Sequence, residues 1–118
     1  MFAARLANAV LLAPWLTLMR LRLERHGIAH NDFVFGMNDT GAMNPLRVRA
    51  LLANLPAGVS ELYLHPATER WPGVPAGMEN YAFAEEFAAL VDVRVARALT
   101  ESDIEPTAYG TLAAAAVG

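Results

Sequence analysis

Apolar positions along this chain follow helical spacing in four places and strand-like runs in two. Near the N-terminus, Leu16, Met19 and Leu23 recur as on one helix face, with Leu18 and Leu21 beside them. Arg20, Arg22, Glu24 and Arg25 then form the polar side. The pattern predicts two helical pieces, one over about Phe2 to Leu12 and one opened by Pro14, where a missing N–H costs nothing. Gly27 is the expected stop, and Arg25 and His26 suit the negative end of the helix dipole.

Phe33-Val34-Phe35 is a short β-prone run, and Asn38-Asp39-Thr40-Gly41 is turn chemistry. Asn44 followed by Pro45 opens a helix, as cap and first helical residue. Val48, Leu51, Leu52 and Leu55 form its buried stripe, with Arg47 and Arg49 solvated. Pro56 to Gly58 end it, and Val59 begins a second strand that runs to His65 and stops at Pro66. This strand–helix–strand unit predicts a parallel pair.

A Pro- and Gly-rich loop carrying Trp71 follows, of a length more often functional than ornamental. Tyr81, Ala84, Phe87, Ala88 and Val91 mark the next amphipathic helix, which leaves Glu85 and Glu86 on the solvated side. Asp92 caps a further helix through Val95 and Leu99, and the segment from Glu101 to Gly110 reads as a turn into a last short strand. The whole is expected to be α/β, one domain over residues 1–118 with 110–118 as a frayed tail. About three strands and about five helices leave sheet edges and a helix face uncovered, which points to an incomplete unit or one that needs a partner chain.

Composition narrows the class. With 118 residues, 55% hydrophobic and 18% charged, the chain can bury one core and is not disordered. A net charge of −3 lacks the basic footprint of nucleic-acid binding. All nine basic residues are arginine, which reads as coding bias. The absence of cysteine removes disulfides, thiolate metal sites and thiol nucleophiles. The uncharged run from Leu6 to Met19 is shorter than the roughly 20 residues of a spanning helix. It lacks a clear signal-cleavage site, so core helices and a cytoplasmic location are expected.

His65 is the strongest candidate for chemistry. In an alternating strand it shares a face with Val59, Glu61 and Tyr63, opposite Ser60, Leu62 and Leu64. An imidazole at a strand end can serve as general acid or base, or can simply close the strand through hydrogen bonds. His26 and His30 have a metal-ligand spacing, but Gly27 interrupts it and no carboxylate completes the set in the helix. Asp39 and Asp32 read as turn residues by default. No Walker, Rossmann, G-x-S-x-G or H-E-x-x-H motif is present.

Three signatures, in order, resemble the C-terminal part of the YdjC-like carbohydrate deacetylases, in the branch associated with hopanoid biosynthesis (HpnK-type). They are Asn31-Asp32 with Phe35-Gly36 and Asp39-Thr40-Gly41; Leu55-Pro56 with Gly58-Val59 and Glu61; and His65-Pro66-Ala67 followed by a loop, Tyr81 and the Glu85 helix. The resemblance implies a partial (β/α) barrel-like unit lacking the N-terminal half, from a family that removes N-acetyl groups from sugars with a divalent metal (Mg or Zn). It implies that His65 is the general acid and that the metal ligands lie in the half preceding this chain. No metal ligand or cofactor is therefore assigned to the chain alone. Asp39, Asn31 and Tyr63 are the candidate substrate-binding residues. Thr40, where serine is commoner, and Val93, where proline is commoner after Asp92, are mild departures.

On this reading the chain alone is inactive, and its partners are the missing half, or a second copy, and a carbohydrate. A non-catalytic module that pairs through its sheet edges is the alternative. A membrane-surface role for the N-terminal segment is a third, less favoured reading.

Overall fold

The computed structural model describes residues 2–116. The chain forms two compact units, Met1–His30 with Thr107–Gly118, and Asn31–Pro106.

In the first unit, α1 (Phe2–Arg25) is one continuous helix, not two pieces, and Pro14 lies inside it. An interior proline withdraws a donor from the preceding turn. Here strong helix formers, alanine and leucine, flank it on both sides and carry the helix through. The Thr17 hydroxyl also donates to the Ala13 carbonyl at 2.9 Å. The stop is where expected. Gly27 adopts φ +62°, and the amides of Gly27 and Ile28 return to the carbonyls of Glu24 and Leu23. Val10, Leu11, Trp15 and Leu16 on α1 are exposed. No helix among the described residues is long and apolar enough to cross a membrane. The segment expected to turn into a last strand is turn and coil from Ser102 to Ala108, and most of the tail expected to fray is a helix, α5 (Tyr109–Ala116), as its alanine run favours. Val117 and Gly118 lie outside the described residues.

The second unit begins with β1 (Phe33–Phe35), followed by α2 (Pro45–Leu52) and β2 (Ser60–Leu62). The strands pair in parallel, with Phe33 opposite Ser60 and Phe35 opposite Leu62. Among the described residues the sheet has two strands, not three. Asn44 caps α2 by accepting from the Arg47 amide at 2.9 Å, as the Asn-Pro pair requires. α3 (Phe83–Val91) and α4 (Val93–Glu101) pack on α2. Asp92 caps α4, accepting from the Arg94 amide at 2.7 Å. The core joins Met43, Val48, Leu52, Ala89 and Val95, with Leu62 and Leu64 packed against it. At about 1.5–3 kcal/mol for each large aliphatic side chain removed from water, this cluster is the main hydrophobic contribution of the unit.

One helix face differs from expectation. The buried residues of α3 are Phe83, Glu86 and Ala89, while Ala84, Phe87 and Val91 are exposed. The helix is turned by one position, about 100°, relative to its apolar stripe. Glu86, expected in solvent, is fully buried; Glu85 is exposed. The reason lies in the site.

Candidate functional site

β2 ends at Leu62, but the chain stays extended, and the Tyr63 amide donates to the Phe35 carbonyl at 2.8 Å. Alternation continues, so Leu62 and Leu64 face the core while Tyr63 and His65 share the other side. Their rings meet edge-on with centroids 4.7 Å apart, and His65 Nε2 lies 3.1 Å from the Tyr63 hydroxyl. Tyr81 closes the far side of the imidazole at 5.0 Å. The His65 side chain keeps 19% of its surface exposed, so the ring is held and still reachable.

Beneath it lies Glu86, whose side chain has no exposed surface. Its Oε1 accepts from the Met43 amide at 3.0 Å, and its Oε2 accepts from the His65 amide. A carboxylate is buried at tolerable cost only when its oxygens are hydrogen-bonded. Two backbone donors meet that need and bind α3 to the segment before α2 and to the end of β2. His65 Nδ1 lies 3.9 Å from the same Oε2; this nitrogen is buried and has no hydrogen-bond partner. Sequence patterning missed Glu86 because it weighs only apolar side chains. The available signal was its spacing, three residues after Phe83 and three before Ala89 on one face.

The chain around the ring is braced. Gly41 presents its carbonyl to the Ala82 amide at 2.8 Å, so the turn after β1 meets the start of α3. Arg70 donates to the carbonyls of Glu79 and, at 3.0 Å, Tyr81, and its guanidinium stacks over Phe83. Trp71 packs on Phe83 with centroids 5.0 Å apart. A depression of about 230 Å³ lies against Arg70, Tyr81, Phe83 and Glu85. Backbone hydrogen bonds from its own amide and that of Gly77 hold the Glu79 carboxyl below the usual range, which stabilises the loop turn.

Of the expected substrate-binding residues, Tyr63 is brought to His65. Asn31 precedes β1, at the opposite end of the parallel pair, and its amide donates to Glu61 Oε2 at 3.0 Å. Asp39 lies in the turn after β1, with its carboxylate 3.4 Å from the Arg47 guanidinium. Asp32 Oδ2 accepts from the Val59 amide at 2.8 Å and ties the strand entries together.

The described residues do not fit a metal. They contain no group of three or more His, Asp or Glu side chains that could hold one. The oxygens of Glu86 are engaged by backbone N–H groups, and His30 Nε2 lies 4.0 Å from Glu24 Oε1, without a third ligand.

These features define a mixed α/β protein with a braced histidine beyond the carboxyl end of a parallel strand, where α/β enzymes place working side chains. A family model described as YdjC-like protein matches residues 2–101. The chain belongs to the YdjC-like family. No curated protein and no solved structure matches it.

Proposed function

We propose that this chain is the C-terminal portion of a YdjC-like carbohydrate deacetylase of the hopanoid-associated branch, located in the cytoplasm, and that His65 is its general acid. The observation that carries the reading is the placement of His65. The imidazole sits past the end of a parallel strand, anchored through its own amide by a buried carboxylate, with Nε2 near a tyrosine hydroxyl and part of the ring in solvent. In hydrolysis of an N-acetyl sugar, such a ring gives a proton to the amine nitrogen as the C–N bond breaks. Tyr63 orients the ring, and Tyr81 limits its rotation. The family's divalent metal belongs to a complementary half of a (β/α) barrel, and no step here is assigned to it.

Association with that half would also cover the edges of the two-stranded sheet. The isolated chain is expected to release no acetate from N-acetyl sugars. Mixed or coexpressed with a chain carrying the N-terminal half of a YdjC-like deacetylase, it should restore acetate release. His65→Ala should lower the restored rate by about a hundredfold or more. Undiminished turnover by the His65→Ala complex would remove the histidine from the mechanism. EDTA-sensitive turnover by the isolated chain would refute the need for a partner.

A further inference from the structure

Glu86 touches His65 twice, and only one of these contacts is explained by folding. Its Oε2 accepts the His65 amide, which secures the backbone. The same oxygen faces Nδ1 of the ring at 3.9 Å, and no other group hydrogen-bonds that buried nitrogen. A neutral imidazole carries one proton, on Nδ1 or Nε2, and the bare nitrogen is an acceptor. A bare Nδ1 would turn a lone pair toward a carboxylate oxygen, while a protonated Nδ1 turns an N–H toward it. The Tyr63 hydroxyl at Nε2 imposes no choice, because a hydroxyl donates or accepts as required.

We propose that Glu86 is a positioning residue for His65. It holds the neutral ring in its Nδ1–H tautomer and leaves Nε2 as the nitrogen that meets Tyr63 and exchanges protons with the substrate. The met need of the carboxylate is what makes it a fixed reference. Oε1 is held by the Met43 amide and Oε2 by the His65 amide, so the charge cannot swing away from the ring. In the neutral state Nε2 accepts from the Tyr63 hydroxyl. When Nε2 takes up a proton, the hydroxyl rotates to accept, and the same proton can then pass to a departing amine. At 3.9 Å the Nδ1 contact is longer than a hydrogen bond, as is common before a site closes on its substrate. For its catalytic meaning the proposal rests on the reading of His65 as the acid, but the tautomer does not depend on that reading.

The test is two-bond ¹H–¹⁵N correlation spectroscopy on the full chain labelled at histidine, recorded well above the ordinary imidazole range near 6.5. His65→Gln assigns the resonances, and His26 serves as an internal reference. The wild-type ring of His65 is expected to be mostly Nδ1–H, against the Nε2–H form that free imidazole favours. Glu86→Gln should move it to mostly Nε2–H, whereas Tyr63→Phe should leave it mostly Nδ1–H. A role confined to propping the backbone would leave the wild-type ring in the free-imidazole form. A mostly Nε2–H wild type overturns the proposal, and so does a Glu86→Gln spectrum that keeps the wild-type ratio. If Glu86→Gln does not fold, the wild-type spectrum decides by itself. An Nδ1–H ring in a chain whose His65→Ala complex stays active would sink the deacetylase role and leave the tautomer standing.

Discussion

Replacing Glu86 by leucine separates what helical patterning expects from what the buried carboxylate does. Patterning places Glu85 and Glu86 together in solvent, so leucine at either position should be harmless. In the structure, Glu86→Leu removes the acceptors of two backbone N–H groups, those of Met43 and His65, while roughly preserving side-chain volume. Hydrogen bonds to a charged group contribute about 1.5–3 kcal/mol each, so the loss is about 3–6 kcal/mol. Burying the leucine side chain returns about 1.5–3 kcal/mol. The expected net destabilisation centres on about 2 kcal/mol, a large share of the ~5–15 kcal/mol of a typical domain. The exposed control, Glu85→Leu, should stay within about 0.5 kcal/mol of wild type. Urea unfolding followed by Trp71 fluorescence, in a Trp15→Phe background, reports on the unit that contains the site. The midpoint should fall for Glu86→Leu with an unchanged slope. Equal midpoints for the two leucine variants would refute the idea that this carboxylate secures the strand end.

Other outcomes follow from the same geometry. Gly36 adopts φ +100°, and a Cβ there would overlap the Tyr63 carbonyl oxygen, so Gly36→Ala should cost about 3 kcal/mol or more by urea unfolding. Gly73 has φ +88° but open space around it, so Gly73→Ala should cost only the conformational strain, about 1 kcal/mol; equal costs would remove the close approach from the account. The Arg94 guanidinium and amide beside Asp92 hold its carboxyl at about 2, below the ordinary 3.8. Because the folded value is the lower one, this contribution is present above about pH 4 and is lost as pH falls through about 2. Carboxyl ¹³C shifts of Asp92 should titrate near 2 in wild type and at a clearly higher pH in Arg94→Ala, which loses the guanidinium but keeps the capping amide; a common midpoint would show that the guanidinium contact is not maintained in solution.

Local chemistry was legible wherever one residue type answers one backbone need. Gly27 ends α1, Asn44 and Pro45 open α2, and Asp92 opens α4, each as its side chain or its φ requires. The parallel strand pair followed from a helix of crossover length between two short apolar runs. His65 was legible because an ionisable residue at the end of an apolar strand is conspicuous. Features set by competition or by distant partners were not. Pro14 signals a boundary, yet its neighbours' helix propensity prevails over a length that no single residue reveals. The face of α3 is decided by amides from Met43 and His65, which lie 43 and 21 residues away in sequence. Apolar counting has no means of seeing them. The C-terminal helix was missed because its alanine run has no apolar periodicity and no cap to mark it, so it read as a frayed tail.

The misassigned glutamate also explains why a candidate site exists in so small a sheet. Two strands of three residues cannot fix a side chain beyond their end, since the last ladder hydrogen bond is made by the Tyr63 amide. His65 lies two residues past that bond. Its position is set by three segments that converge: the Gly41–Met43 turn, the end of β2 and the first turn of α3. The Gly41 carbonyl joins the first to α3 through Ala82, and Glu86 joins both to His65. Such an arrangement requires a helix directly after the loop and a long acidic side chain at its first buried turn. Aspartate at position 86 would be one methylene short of spanning from the helix to both amides. Sheet length therefore has little influence on the imidazole, and the register of α3 has a great deal. Changes that rotate α3 should displace His65 even when the strands are untouched.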